Sequence, residues 1–363
     1  VRSRIKADAE YDEKVLKHMQ ALNTWLRSEM PELFEDWFTT SEKLQKTAYH
    51  QTGPTETLLE RVTSGEKLSQ KSDVTVSSQD SDMTQGYQFT ENGHVAVLMF
   101  LGLVIHRSTT TSDYNIDLSK KNSLDLVEKA DILLNLASTT DAEGSLKIRN
   151  KIYKNNLGIF NNVIDYCKKK NAKLIHISST SVYGMQSSVV NENCKELKPQ
   201  TPYAEIKLKE ENILKKKKKL RYVTLRFGTI AGVSSGMRFH TAVNKFCLNC
   251  ALNYHIPVWT KALNQYRPYL SLSDAFESLK FIINKDLFNK EIYNILTSNY
   301  TVKNILKFIS YYKKIKIKYV RSKITNQLSY LVEDKKIKKL GFKPKSSLKK
   351  DIKETLAVLN NLS

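Results

Sequence analysis

The 363-residue sequence predicts an α/β fold. We expect a doubly wound parallel sheet with helices on both faces, then a smaller C-terminal lobe, all preceded by an unrelated-looking helical segment. Three observations lead there. From residue 94 onward, short apolar runs alternate with amphipathic helical patterns, as in successive βαβ units. Charge is split: residues 1–100 hold 11 Lys+Arg against 16 Asp+Glu, a net of −5, whereas 101–363 hold 47 against 21, a net of +26. Finally, "IHISSTSVYG" at 175–184 runs an apolar strand into a cluster of hydroxyls, and "PYAEIK" at 202–207 follows it.

The acidic first piece is expected to be helical. Val15, Met19, Leu22 and Leu26 step along one helix face, and Pro54–Thr55 to Gly65 brackets a second helix. "SQKSDVTVSSQDSDMTQG" is a polar linker. Beyond it, strands are expected at 95–105, 130–137, 172–179, 221–228 and 256–259, and helices at 145–170, 203–219 and 240–253. This divides the chain into 1–93, a segment of unknown role; 94–235, a nucleotide-binding domain; and 236–363, a substrate-binding lobe. Ligands of such sheets bind at the carboxyl ends of the strands, where "LAST", "SSTS" and "FGTI" fall.

Composition excludes several classes. The longest apolar run, 95–105, is too short for a membrane helix, which needs about 20 residues. The N-terminus "VRSRIKADAEYDEK" has no apolar leader pattern, so a cytoplasmic location is expected. Four cysteines are too few for a disulfide scaffold, and the lone "CLNC" has no second pair, so no metal site is assigned. "KKKKK" at 215–219 has no interleaved aromatics and reads as a solvated turn, so no nucleic-acid partner is expected.

Tyr-x-x-x-Lys occurs four times, at Tyr166/Lys170, Tyr203/Lys207, Tyr312/Lys316 and Tyr319/Lys323, where chance alone gives about two. Only Tyr203 follows the hydroxyl-rich strand end and opens a helix after a proline. One helical turn puts Tyr203 and Lys207 on one face. A nearby ammonium favours the phenolate of a tyrosine, whose free value is about 10. The strand-end Ser179 can hold a substrate oxygen, or serve only its own backbone. These groups suit proton exchange at a sugar hydroxyl.

In their order, these segments resemble the extended short-chain dehydrogenase/reductase family, in its NAD-dependent nucleotide-sugar epimerase/dehydratase branch, over about 94–363. "NIDL" resembles the adenine turn, with Asp117. "ADILLNLAS" resembles the fourth strand, with Leu136 and Ala137 along the cofactor. "NNLGIFNNVIDYC" resembles the Asn-x-x-Gly-Thr helix, with Asn156 as its asparagine and Ile159 where Thr is usual. "HISSTSVYG" and "PYAEIK" supply Ser179, Tyr203 and Lys207. "GMRFHTAVNKF" and "NQYRPYLSLSDA" resemble the substrate segments, with Arg238 and Arg267 toward the nucleotide diphosphate; Asp274 reads as a helix N-cap.

The resemblance implies a Rossmann-like fold, NAD or NADP as cofactor, a nucleotide-sugar substrate and a homodimer as an option. It also implies epimerisation or ketone reduction through a Ser-Tyr-Lys triad. Ser179-Thr180-Ser181 carries no carboxylates where 4,6-dehydratases do, and Ser181 precedes Val182 where decarboxylases carry Glu. The family's glycine-rich phosphate loop has no counterpart before residue 110. Residues 95–105 would then be the second strand, with Arg107 at its end favouring a 2′-phosphate. Loss of the loop also leaves open a non-catalytic Rossmann-like binding protein.

Overall fold

The computed structural model describes residues 76–77, 95–99, 102–106, 111–114, 118–125, 127, 129–138, 149–234, 237, 239, 241–320 and 329–360. The expected helices before residue 75 lie outside the described residues, as do Arg107, Asp117 and Arg238.

Five strands form the parallel part of the main sheet. In chain order, β1 is Val76–Ser77, β2 Val95–Met99, β3 Gly102–His106, β4 Thr111–Tyr114, β5 Ile132–Asn135, β6 Lys173–Ser179, β7 Val189–Val190, β8 Tyr222–Phe227, β9 Thr229–Ala231, β10 His255–Trp259, β11 Tyr266–Ser271, β12 Ile292–Ile295, β13 Ser298–Thr301, β14 Lys316–Val320 and β15 Leu331–Val332. The sheet order is β1-β4-β3-β2-β5-β6-β8-β12. Every pair from β2 to β12 is parallel, and β1, β4 and β3 form an antiparallel arm.

The helices are α1 Arg149–Lys170, α2 Pro202–Lys215, α3 Ala242–Ala251, α4 Leu272–Asn284, α5 Val302–Tyr312, α6 Lys335–Lys339 and α7 Leu348–Asn360. Strand alternation sorts them onto two faces. Leu133, Leu174 and Tyr222 pack with Phe160, Val163 and Ile164 of α1 and Leu214 of α2. Ile132, Leu134, Ile175, Val223 and Leu225 pack on the other face with Leu279, Ile282 and Ile283 of α4. A sheet buried on both faces explains why its strands read as unbroken apolar runs.

A second core joins α3, α5 and α7 to β10 and β11, forming the smaller lobe. β8 enters it through Gly228. A Cβ there would lie 3.0 Å from Pro268 O, so a larger residue would press on β11 at this crossing.

Three expectations need correction. Residues 95–105 are a hairpin, because the chain turns after Met99 and pairs back from Gly102. Its first strand, β2, lies beside β5, the place of strand 1 in the usual Rossmann order, so it is not the second strand. The polar tract contributes an edge strand: Val76 and Ser77 pair with Tyr114 and Asp113. The helix expected over 203–219 ends at Lys215, before four further lysines whose like charges oppose continuation.

Candidate active site

Ser179 ends β6 and caps the following 3-10 turn, Thr180–Tyr183. Its Oγ accepts hydrogen bonds from Ser181 N at 3.1 Å and Ser181 Oγ at 2.9 Å, which leaves its own proton free to point outward. Thr180 Oγ1 donates to Phe227 O at 3.2 Å and ties this end to β8. The turn closes at Gly184, whose φ of 62° and contact with Lys198 exclude a side chain; a Cβ would sit 1.7 Å from Lys198 O. This close approach is the physical content of "VYG".

Helix α2 packs against that turn. Thr201 caps it by accepting from Ala204 N at 3.2 Å, and Pro202 occupies the first turn, where its missing N–H costs nothing. Tyr203, half-buried, therefore stands in the first turn at the carboxyl edge of the sheet. Lys207, one turn on, is 3% exposed, and its Nζ lies 5.9 Å from the Tyr203 ring centroid.

Beneath this pair is a buried polar layer. Strand alternation turns His176 and Ser178 of β6, and Thr224 and Arg226 of β8, toward α2. Lys207 Nζ donates to Glu210 Oε2 at 2.9 Å, and His176 Nε2 lies 3.4 Å from the same oxygen. Neither ring nitrogen of His176 makes a hydrogen bond among the described residues, and its ring packs 4.9 Å from Phe160. Arg226 Nε and Nη2 donate to Glu211 at 2.8 and 2.6 Å, and Ser178 Oγ donates to Glu211 Oε1 at 2.6 Å. The Arg226 guanidinium lies over the Tyr183 ring, whose hydroxyl donates to Asn294 Oδ1 at 2.8 Å.

The electrostatics follow from this packing. Burial, then Lys207, holds His176 well below its usual value, so the imidazole is neutral. Burial opposes the Lys207 charge, but Glu210, Tyr203 and Glu211 outweigh it and hold the ammonium above the ordinary lysine value. Burial raises the Glu210 carboxyl, and Lys207 draws it back.

The remaining candidates occupy two other places. At the end of β5, Ala137 N donates to Asn135 Oδ1 at 3.2 Å, bending the chain so that Leu136 stands 39% exposed while Ala137 is buried. Asn156 is buried and donates from Nδ2 to Ser138 Oγ at 3.0 Å, tying α1 to this strand end. Counting back from Gly158, the Asn-x-x-Gly asparagine is Asn155, half-buried one position earlier. Arg267, on β11 of the lobe, stacks on Tyr330 at 5.1 Å, and no carboxylate among the described residues pairs with it.

Other expectations resolve as structure. The decoy Tyr166 is buried, and its hydroxyl accepts from Ala130 N at 3.0 Å. Asp274 is not the N-cap, which is Ser271; it lies in the first turn of α4 and accepts from Lys345 N, Ser346 N and Thr297 Oγ1. Cys247 and Cys250 are buried in α3, where burial pushes both thiols up. Among the described residues no group of three or more His, Cys, Asp or Glu could hold a metal ion, and no helix is long and apolar enough to cross a membrane.

A doubly wound sheet with titratable groups gathered at its carboxyl edge defines a Rossmann-like protein. A family model described as "NAD dependent epimerase/dehydratase family" matches residues 88–295, more than half of the sequence. The chain belongs to that family.

Among curated proteins it is similar to RHM1 of Arabidopsis thaliana, a trifunctional UDP-glucose 4,6-dehydratase/UDP-4-keto-6-deoxy-D-glucose 3,5-epimerase/UDP-4-keto-L-rhamnose-reductase. The two are 25% identical over 248 residues, which cover 65% of this chain. The aligned part is 36% of RHM1, so the chain spans about a third of that relative's length. The fold is also that of a UDP-N-acetylglucosamine 4-epimerase from Methanobrevibacter ruminantium (TM-score 0.61, 21% identity, 68% of this chain and 82% of that one). It is likewise that of RMD from Pseudomonas aeruginosa, solved with NADPH (TM-score 0.60, 17% identity, 68% and 87%), and of a Thermus thermophilus UDP-glucose 4-epimerase solved with NAD (0.61, 18%, 68% and 83%).

Proposed function

We propose that this chain is an NAD(P)-dependent epimerase or reductase acting on a nucleotide sugar. The observation that carries the reading is Tyr203 and Lys207 on one helical turn at the carboxyl edge, beside the Ser179-capped turn, in a member of this family. Tyr203 exchanges a proton with the substrate oxygen, and Ser179, with its own proton free, orients that oxygen. Arg267, which no carboxylate among the described residues pairs with, suits a diphosphate, and Arg238 joins it in this reading. A nicotinamide, when bound, supplies the hydride chemistry. Leu136 and Ala137 would flank it, Lys207 would meet its ribose, and Asp117 and Arg107 complete the proposed cofactor set, Asn156 serving instead to hold the end of β5 through Ser138. RHM1 is named as an epimerase and reductase as well as a dehydratase, which agrees with the two reactions retained.

Tyr203→Phe keeps the ring and removes the proton-exchanging group. Turnover of nucleotide sugars should fall by at least the roughly 10²–10⁴-fold of a lost general acid/base. Equal turnover in variant and parent would remove the assignment.

A second reading, a binding protein without catalysis, is favoured by one observation. The usual phosphate loop follows strand 1 and opens a helix. Here β2 stands in that place and reverses after two residues into β3, so no helix follows it. The nicotinamide end fits the residues present, whereas the described strand end supplies no helix N-terminus to a pyrophosphate.

A further inference from the structure

We propose that Tyr330 is a positioning residue for Arg267: its ring holds the guanidinium plane in place ahead of the ligand, and so sets the affinity of the site for the diphosphate of a nucleoside diphosphate. This rests on the proposed part of Arg267 in holding a diphosphate.

Arg267 is placed for that ligand by the strands around it. It precedes Pro268 on β11, whose carbonyl would lie 3.0 Å from a Cβ at Gly228, the first residue after β8. Thr180 Oγ1, beside Ser179, donates to the carbonyl of Phe227, the last residue of β8. A short chain of contacts thus joins Arg267 to Ser179 at the carboxyl edge.

The charge is set among rings. Arg267 is half-buried, and its guanidinium carbon lies 5.1 Å from the Tyr330 ring centroid. Tyr269, two positions on along β11 and so on the same face, is buried, and Arg267 partly offsets the rise that burial gives its phenol. No hydrogen bond or ion pair joins Arg267 to another of the described residues. A guanidinium partly withdrawn from water without a carboxylate keeps its fork of donors for an incoming anion, and phosphate oxygens match that fork.

Tyr330 is itself fixed. It is 7% exposed and packs with Tyr183, Val190, Leu296 and Val332. Its N–H donates to Tyr266 O at 3.3 Å, and Ser329 Oγ accepts from Tyr266 N at 2.9 Å, so the chain entering β15 is tied to the start of β11. Ordering a long side chain at the moment of binding costs affinity. A ring anchored in the fold meets part of that cost for Arg267 before the ligand arrives.

Isothermal titration of the full chain with UDP, GDP and dTDP reads this site without cofactor or turnover. Tyr330→Leu removes the ring and should weaken the tightest of the three by about threefold to tenfold. Tyr330→Phe keeps the stack and should match the parent. In an Arg267→Met background, Tyr330→Leu should weaken binding no further. An equal loss from Tyr330→Leu in both backgrounds would show a role in the fold alone and overturn the proposal. So would binding by Tyr330→Phe as weak as that by Tyr330→Leu.

Should Tyr330→Leu fail to fold, Arg267→Lys decides, since it alters only a half-buried side chain. It keeps the charge and loses the planar group, so affinity should fall by at least about threefold. Affinity equal to the parent overturns the proposal, as does a parent that binds none of the three nucleotides. Full activity in Tyr203→Phe would remove the proposed catalytic chemistry while leaving these titrations interpretable.

Discussion

Glu210 and Glu211 are neighbours in sequence and hold different cations, Lys207 on their own helix and Arg226 on β8. Arg226 is 1% exposed, so Arg226→Met leaves Glu211 buried without its partner. Such a break costs about 3–5 kcal/mol, whereas replacing both partners by apolar residues costs far less. Urea denaturation should show a large loss for Arg226→Met and a substantial recovery for Arg226→Met/Glu211→Met. Tyr166→Phe should leave activity unchanged yet lower stability by about 1–3 kcal/mol, because Ala130 N–H loses its acceptor. That Ser179, Tyr203 and Lys207 lie near one another was legible, because strand end, proline and helix start surround them in the sequence. The layer beneath was not, because "KLKEEN" reads as a solvated face and acidic side chains are seldom buried. A signal existed: alternation in "LIHISS" and "YVTLRF" aligns His176 and Ser178 with Thr224 and Arg226. Four-residue spacing also places Glu211 below Lys207.

At the scale of elements, the boundaries of β5, α1, β6, α2, β8 and α3 were legible to within a few residues, since both the apolar runs and their breaks are in the sequence, whereas the two- and three-residue strands β7 and β9 are too short to leave a pattern. The β2–β3 hairpin was not. "VAVLMFLGLVI" has no polar break, so only pairing with β5 on one side and β4 on the other reveals two strands. The consequence is an affinity. A helix after strand 1 gives a pyrophosphate several charge-assisted hydrogen bonds, each worth about 1.5–3 kcal/mol. Without them NADH and NADPH should bind orders of magnitude more weakly than to a protein with the loop, at about tenfold per 1.4 kcal/mol. Isothermal titration of the full chain should show weak binding. Sub-micromolar affinity would show that residues outside the described set supply the phosphate site.

For the whole molecule, the C-terminal helix α7 is fastened across the lobe by Asp351. Its buried carboxylate accepts from Ser271 Oγ at 2.7 Å, at the start of α4, and its Oδ2 has no hydrogen-bond partner among the described residues. Burial, with Glu354 and Asp274 adding to it, pushes this carboxyl up to about 6 from 3.8. A folded value above the unfolded one favours the protonated fold. The associated stability is present below about pH 4 and is lost as pH rises through about 6. Asp351→Asn keeps an acceptor for Ser271 and removes the charge. The variant should match the parent near pH 4 and exceed it at pH 7 by up to about 3 kcal/mol, read from thermal unfolding across that range. An equal gap at every pH would exclude titration of Asp351 as its cause.

The paired cluster under Tyr203 gives the molecule two independent responses to ionic strength. Lys207, Glu210, Glu211 and Arg226 sum to no net charge and lie away from water, where mobile ions screen little. The excess of lysine elsewhere in 101–363 faces solvent at many positions, and the Debye length there is about 8 Å at physiological salt. Added salt should therefore slow the capture of an anionic ligand and raise KM, while the pH at which Tyr203 changes its proton stays where it was.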